Sequence, residues 1–194
     1  MDQNANLSEV RPAFSELNSV RNLNFRLVRP MNTLLLSDEE IEWWWQRVKT
    51  QEYMFTDFER GNREGWIARF LDMRHLHLDF SGDGYCFLAN AWCCDTPELH
   101  YCIWNSKRSA AETVAAANEI VNFVFGQMHA TRLGSFIPET HKAALKLSTI
   151  MGFKYEGCIR KAYRFFDKSY DVLAFGLLKE EWEQRVRRQT GANN

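Results

Sequence analysis

The chain has 194 residues, 45% of them apolar and 14% aromatic, enough to bury one ordinary core and too few for two full domains. A formal net charge of −1 excludes the strong basic field of a dedicated nucleic-acid binder, leaving only local patches such as Arg185, Arg187 and Arg188. No run approaches the roughly 18 apolar residues of a membrane helix, and no apolar stretch follows a basic start, so no membrane partner and a cytoplasmic location are expected.

Residues 1–22 read as a polar N-terminal arm. Its Val10, Phe14, Leu17 and Val20 recur three or four apart, a stripe that suits either ordering on a partner or packing back on the chain's own domain. Asn24 to Arg29 alternates and stops at Pro30, which predicts a strand with Phe25 and Leu27 inward and Arg26 and Val28 outward. Ser37 before Asp38, Glu39 and Glu40 is an N-cap with a capping box, so a helix starts there. Ile41, Trp44, Trp45 and Val48 form its buried stripe and Trp43 turns away.

A polar break at Gly61, Asn62 and Arg63 precedes a short helix over Trp66 to Met73. From His75 the alternation of Leu76, Leu78 and Phe80, the turn Ser81-Gly82-Asp83-Gly84 and the run Tyr85 to Cys94 spell a hairpin. A third strand, Leu99 to Trp104, follows Pro97. Next comes a long helix, Ser109 to Met128, whose Val114, Ala117, Val121, Val124, Phe125 and Met128 share one face. A strand over Arg132 to Ile137 and a shorter helix stopped at Gly152 complete the central unit.

Strands on either side of a helical crossover are most simply parallel neighbours. The helix N-terminus near Ser109 then lies at a strand's carboxyl end, where first-turn N–H groups and the helix dipole favour anions. Tyr155 to Phe165, a turn at Asp167-Lys168-Ser169 and Tyr170 to Leu178 form a second hairpin, and Glu180 to Arg188 is helical. Residues 23–182 form the domain and 183–194 a C-terminal tail.

Motifs for hydrolases, kinases and dehydrogenases are absent: there is no GxSxG, P-loop, GxGxxG or HExxH. His75 and His77 lie two apart but have no third ligand at a readable spacing, so no metal is expected. Five cysteines, Cys86, Cys93, Cys94, Cys102 and Cys158, form no CxxC pair and are read as reduced, buried thiols.

The element order, "FRLVRP" near the start, and the stretch from "FVFGQMHATRLGSFIPETHKAALKLSTIMGFKYEG" to "KSYDVLAFGLLKEEW" at the end resemble the GNAT acyltransferase superfamily, in its ribosomal-protein N-terminal acetyltransferase branch. Met151-Gly152-Phe153, Glu156-Gly157 and Asp171 match that branch's helix corner, following strand and final hairpin. The resemblance implies an α/β fold of the α+β mixed-sheet kind, with a central splayed parallel strand pair and flanking antiparallel hairpins. It also implies transfer of an acetyl group from acetyl-CoA to an amine, either a protein N-terminus or a small amine.

The family's pyrophosphate loop, Gln/Arg-x-x-Gly-x-Gly/Ala, falls on Ser106-Lys107-Arg108-Ser109-Ala110-Ala111, where only Ala111 fits. The implied cofactor contacts are the amides of Ser109, Ala110, Ala111 and Glu112, with Lys107 or Arg108 supplying charge. The family's Asn and Ser on the following helix land on His141 and Ala144. Catalytic groups vary in this superfamily and none is assigned; Glu98, His100 and Tyr101 are candidates by residue type. The chain also resembles phage-encoded GNAT-like proteins with a degraded phosphate loop, implicated in virion or head assembly. On that alternative the fold binds a protein assembly partner without cofactor, and a homo-oligomer fits either reading.

Overall fold

The computed structural model describes residues 28–57, 59–80, 82–91, 94–104 and 109–190. The arm, Phe25, Leu27, Ser106, Lys107, Arg108 and Cys93 lie outside the described residues. In chain order the elements are β1 (Arg29–Met31), α1 (Asp38–Val48), α2 (Arg63–Phe70), β2 (Leu76–Asp79), β3 (Gly84–Ala89), β4 (Glu98–Ile103), α3 (Ala110–Gly126), β5 (Arg132–Pro138), α4 (Lys142–Met151), β6 (Lys154–Phe165), β7 (Lys168–Leu178) and α5 (Lys179–Thr190). Short 3-10 turns at Thr33–Leu35 and Glu52–Met54 flank α1.

The seven strands form one mixed sheet in the order β1-β2-β3-β4-β5-β7-β6. Every neighbouring pair is antiparallel except β4 and β5, which run parallel. That central pair is registered only at Glu98 and Gly134, near the start of both strands. By contrast, β3–β4 holds from Gly84↔Ile103 to Ala89↔Glu98, and β5–β7 from Arg132↔Leu178 to Pro138↔Val172. The sheet is therefore two antiparallel halves hinged at Glu98 and Gly134 and splayed toward the carboxyl ends.

Alternation along the strands sorts the core into two layers. Leu76, Leu78, Leu88, Leu99, Leu133 and Leu177 face α3 and α4. Tyr85, Phe87 and Cys102 face α1 and α2, meeting Ile41, Trp44, Trp45, Val48, Trp66 and Phe70. Helix α3 is buried more widely than one stripe requires, because α5 covers its outer side: Trp182 packs on Phe125 at 5.4 Å and its Nε1–H donates to Asn122 Oδ1 at 2.8 Å.

Helix α1 starts where the capping box requires. Ser37 Oγ accepts the Glu40 N–H at 3.2 Å and the Glu40 carboxylate accepts the Ser37 N–H at 2.8 Å. Several sequence expectations are corrected. The first strand includes Pro30, tolerated because β1 is an edge strand, and Val28 is buried rather than outward. Helix α2 begins earlier than Trp66 because Asn62 caps it through Gly65 N–H, and it ends at Phe70, leaving Met73 exposed.

Strand β3 stops at Ala89 because Asn90 turns to φ +57°. The last hairpin turns on Phe166 and Asp167, both at positive φ, the backbone that matches strand twist in a two-residue turn. The helix expected over Glu180 to Arg188 is present as α5, which runs to Thr190. Cys94 and Cys158 are exposed, whereas Cys86 and Cys102 are buried thiols.

Candidate functional site

The site is built from the fork between β4 and β5. At its base the Gly134 N–H donates to the Pro97 carbonyl at 2.9 Å. Further along, backbone pairing gives way to a side chain: buried Ser135 donates its hydroxyl to the Leu99 carbonyl at 3.2 Å. Beyond that bond the strands part around a cleft of about 160 Å³. Its lining includes Leu99 and Tyr101 from one face of β4 and His100 from the other, so the cleft passes through the sheet. One mouth opens beside Ala144 and Ser148 of α4; the other opens beside Phe87 and Phe136 on the α1/α2 side.

The second mouth is walled by segments far apart in sequence. Tyr53, after α1, donates its hydroxyl to the Ile103 carbonyl at 3.1 Å. Tyr163 on β6 donates to the Tyr53 carbonyl at 2.9 Å, with the Phe55 carbonyl at 3.3 Å. Between them stands His141, the residue before α4, its ring edge-on to both tyrosines with centroids 5.5 Å away in each case. The hairpin tip is fixed by Asp57, whose carboxylate accepts the Phe166 and Asp167 N–H groups at 2.8 and 2.9 Å. Those two backbone bonds and burial compete, and the bonds win, holding the Asp57 carboxyl below its ordinary pKa.

Burial sets the protonation states inside the cleft. His141 has its pKa lowered by loss of water alone, which keeps the imidazole neutral, and it makes no hydrogen bond to a described side chain. Tyr101 is the reverse case: burial raises its phenol well above the ordinary value, and its buried hydroxyl has no partner among the described residues. The Tyr101 side chain lines the cleft, but its hydroxyl is closed off from solvent inside the wall, an unpaired donor among the described residues. Burial also raises Tyr163, to about 12. Glu98 is held below its ordinary pKa chiefly by His100, whose Nε2 lies 3.7 Å away, and the His100 ring stacks flat on Phe87 at 4.5 Å.

The N-terminus of α3 carries the residues expected to meet an anion, and here the structure adds a carboxylate. Ser109 is the N-cap; its Oγ accepts the Glu112 N–H at 3.2 Å, and the Glu112 carboxylate accepts from Ser109 N–H at 2.8 Å and from Ser109 Oγ at 2.7 Å. Two of the four amides in question are thus bonded within the cap. Ala110 and Ala111 contribute first-turn N–H groups that have no intrahelical acceptor.

Of the three candidates by residue type, the structure brings Glu98 and His100 together and sends Tyr101 into the fork from the opposite face of β4. Sequence reasoning missed Tyr53, Ser135, Phe136 and Tyr163, and treated His141 only as the loss of a family polar residue. Nothing local marks them, since they come from four separate segments. His75 and His77 sit with ring centroids 6.3 Å apart, and among the described residues no three His, Cys, Asp or Glu side chains cluster as a metal site. Among those residues no helix is long and apolar enough to cross a membrane.

Solved structures share this architecture along most of the chain. A probable acetyltransferase superposes with a TM-score of 0.61 at 17% identity, covering 81% of this chain and 96% of the other. A mutant form of the spermidine N-acetyltransferase SpeG from Vibrio cholerae gives 0.65 at 13% identity, over 82% and 96%. An acetyltransferase of the GNAT family from Bacillus anthracis gives 0.62 at 12% identity, over 80% and 97%. No family model matches the sequence, and no curated protein does. The chain has the GNAT acetyltransferase fold, and identities this low carry the likeness to the fold alone.

Proposed function

We propose that this chain is an N-acetyltransferase that moves an acetyl group from acetyl-CoA to an amine. The observation that carries the reading is the cleft through the fork, which joins a mouth beside α4 to a second, aromatic-walled mouth on the opposite face. Two reactants can meet there from opposite sides of the sheet, the positioning on which acyl transfer depends.

The residues fit acetyl-CoA at the acyl end, where the parted strands leave the cleft open and Tyr101 stands in its wall. At the phosphate end the first-turn amides of Ala110 and Ala111 would hold the diphosphate, with the Glu112 cap as competitor; the charge expected from Arg108 belongs to a residue outside the described ones. Bound there, acetyl-CoA supplies an acetyl group already activated as a thioester.

The chain's own part is to orient the acceptor and manage one proton. An amine arrives as an ammonium ion and must lose a proton to attack. His141, neutral through burial and facing the second mouth, takes that proton. Tyr101 keeps its proton at a phenol oxygen buried in the cleft wall, and a turn of that side chain toward the cleft would let it donate to charge developing on oxygen or sulfur. Glu98 holds His100 beside the same mouth as a fixed wall.

A second reading, a GNAT-fold protein that binds a protein partner without cofactor, is favoured by one observation: the Glu112 carboxylate lies where a diphosphate would have to go. Titration decides between them. Acetyl-CoA at 100 times its Kd raises stability by about 2.7 kcal/mol, which a melting curve resolves, and thiol release with an amine panel then reads turnover. An unchanged melting temperature at millimolar acetyl-CoA overturns the enzyme reading and leaves the second.

A further inference from the structure

We infer that the acceptor is an amine with a flat, apolar body and one positive charge, and not a polyamine. The inference rests on the acetyltransferase reading and deepens it. Among the described residues seven rings line the cleft, and six of them, Tyr53, Phe87, His100, Phe136, His141 and Tyr163, lie apart from Tyr101 in its inner wall. They come as contacting sets, with Phe87 stacked on His100 at 4.5 Å and His141 between the two tyrosines. Phe136 is 40% exposed, so a planar body can slide over it without rearranging the core.

Charge makes the same choice. Among the described residues no carboxylate lines the cleft, and Arg69 brings a cation to it. The acids nearest its ends are committed, Glu59 to Arg69 and Glu98 to His100. An extended polyamine brings two or more ammonium groups, each of which needs a carboxylate or water once it leaves solvent. The aromatic faces and the neutral imidazole of His141 can receive one ammonium, by cation–π contact and by a hydrogen bond from its N–H. A second would find no uncommitted carboxylate among the described residues of the cleft.

The test uses the full chain with two probes, tryptamine as the planar monoamine and spermidine as the polyamine. With saturating acetyl-CoA, kcat/KM for tryptamine should exceed that for spermidine by about 100-fold or more. Binding of each amine to the chain without acetyl-CoA is measured in parallel by titration calorimetry, and tryptamine should bind the more tightly. Phe136→Ala, an exposed change that leaves the core intact, should lower tryptamine binding about tenfold while leaving acetyl-CoA binding unchanged. Equal or better use of spermidine overturns the inference. If no amine is acetylated, the acetyltransferase reading fails, and the calorimetric arm still decides: selective tryptamine binding supports the aromatic acceptor site, and no selectivity overturns it.

Discussion

Ser135 and Leu99 hold the fork at the point where it opens. The Ser135 hydroxyl stands in for a backbone N–H that the diverging strand can no longer offer, and the Leu99 carbonyl accepts it at 3.2 Å inside the core. Removing it strands a buried acceptor, which costs about 1–3 kcal/mol. Ser135→Ala should therefore lower the denaturation midpoint with little change in slope, and weaken acetyl-CoA binding as the cleft wall loosens. A loss below a few tenths of a kcal/mol would show that water replaces the hydroxyl and that the bond does not shape the fork.

Glu112→Gln separates the cap from its charge. Gln at the third helical position can still accept from Ser109, so helix α3 keeps its start while the negative charge at the anion site disappears. One charge a few ångströms from a diphosphate is worth about 1 kcal/mol in water and more at a partly shielded surface. Acetyl-CoA should bind about fivefold tighter or better to this variant in calorimetry. Equal affinity in the two proteins means that the diphosphate does not sit on α3.

Trp43 and Trp44 are neighbours on α1 with opposite fates. Trp44 is buried among Phe70, Tyr85 and Trp104, whereas Trp43 is 39% exposed and lies under the Arg47 guanidinium at 3.3 Å from its ring centre. Trp44→Ala should cost the about 3–5 kcal/mol typical of a deleted core aromatic. Trp43→Ala should cost only about 1 kcal/mol, the scale of an exposed cation–π pair. Urea denaturation of both variants measures the contrast, and equal losses would place Trp43 in the core.

Local signals account for most of the fold that sequence could show. The four buried residues of α1, its Ser37 cap, the left-handed Gly152 that ends α4 and the parallel pair around α3 follow from periodicity, capping chemistry and crossover geometry. Errors fell where tertiary context overrides pattern, as at Val28, which alternation turns outward and the core takes in. Ser109 and Glu112 repeat the Ser37 and Glu40 spacing, so the second cap was also legible, but its competition with an anion depends on where the helix end lies. The cleft was not legible at all. Tyr53 and Tyr163 meet across 110 residues, and burial, which no periodicity encodes, makes His141 neutral and leaves Tyr101 without a partner among the described residues.

His77 offers a stability test independent of the cleft. Its ring is buried on β2 between Tyr85 and Phe87, edge-on to Phe70, beside a small, partly open cavity of about 20 Å³. Neither ring nitrogen has a partner among the described residues, and burial, helped by His75, pushes its pKa down to about 3. The folded chain thus refuses a proton that the unfolded chain binds below pH 6.5. Between pH 6.5 and about 3 stability must fall with falling pH, by about 1.4 kcal/mol per unit from this group once the unfolded histidine is protonated. His77→Phe removes both the proton site and the two unsatisfied nitrogens, and the adjoining cavity gives the larger ring room. The variant should match or exceed the wild type at pH 7.5, and the difference in its favour should widen on acidification to pH 5, read by denaturant titration at each pH. His75 and His141, which are also lowered, titrate in both proteins and cancel from the difference. A difference that stays constant with pH would mean that His77 is protonated in the folded chain and that some partner reaches its ring.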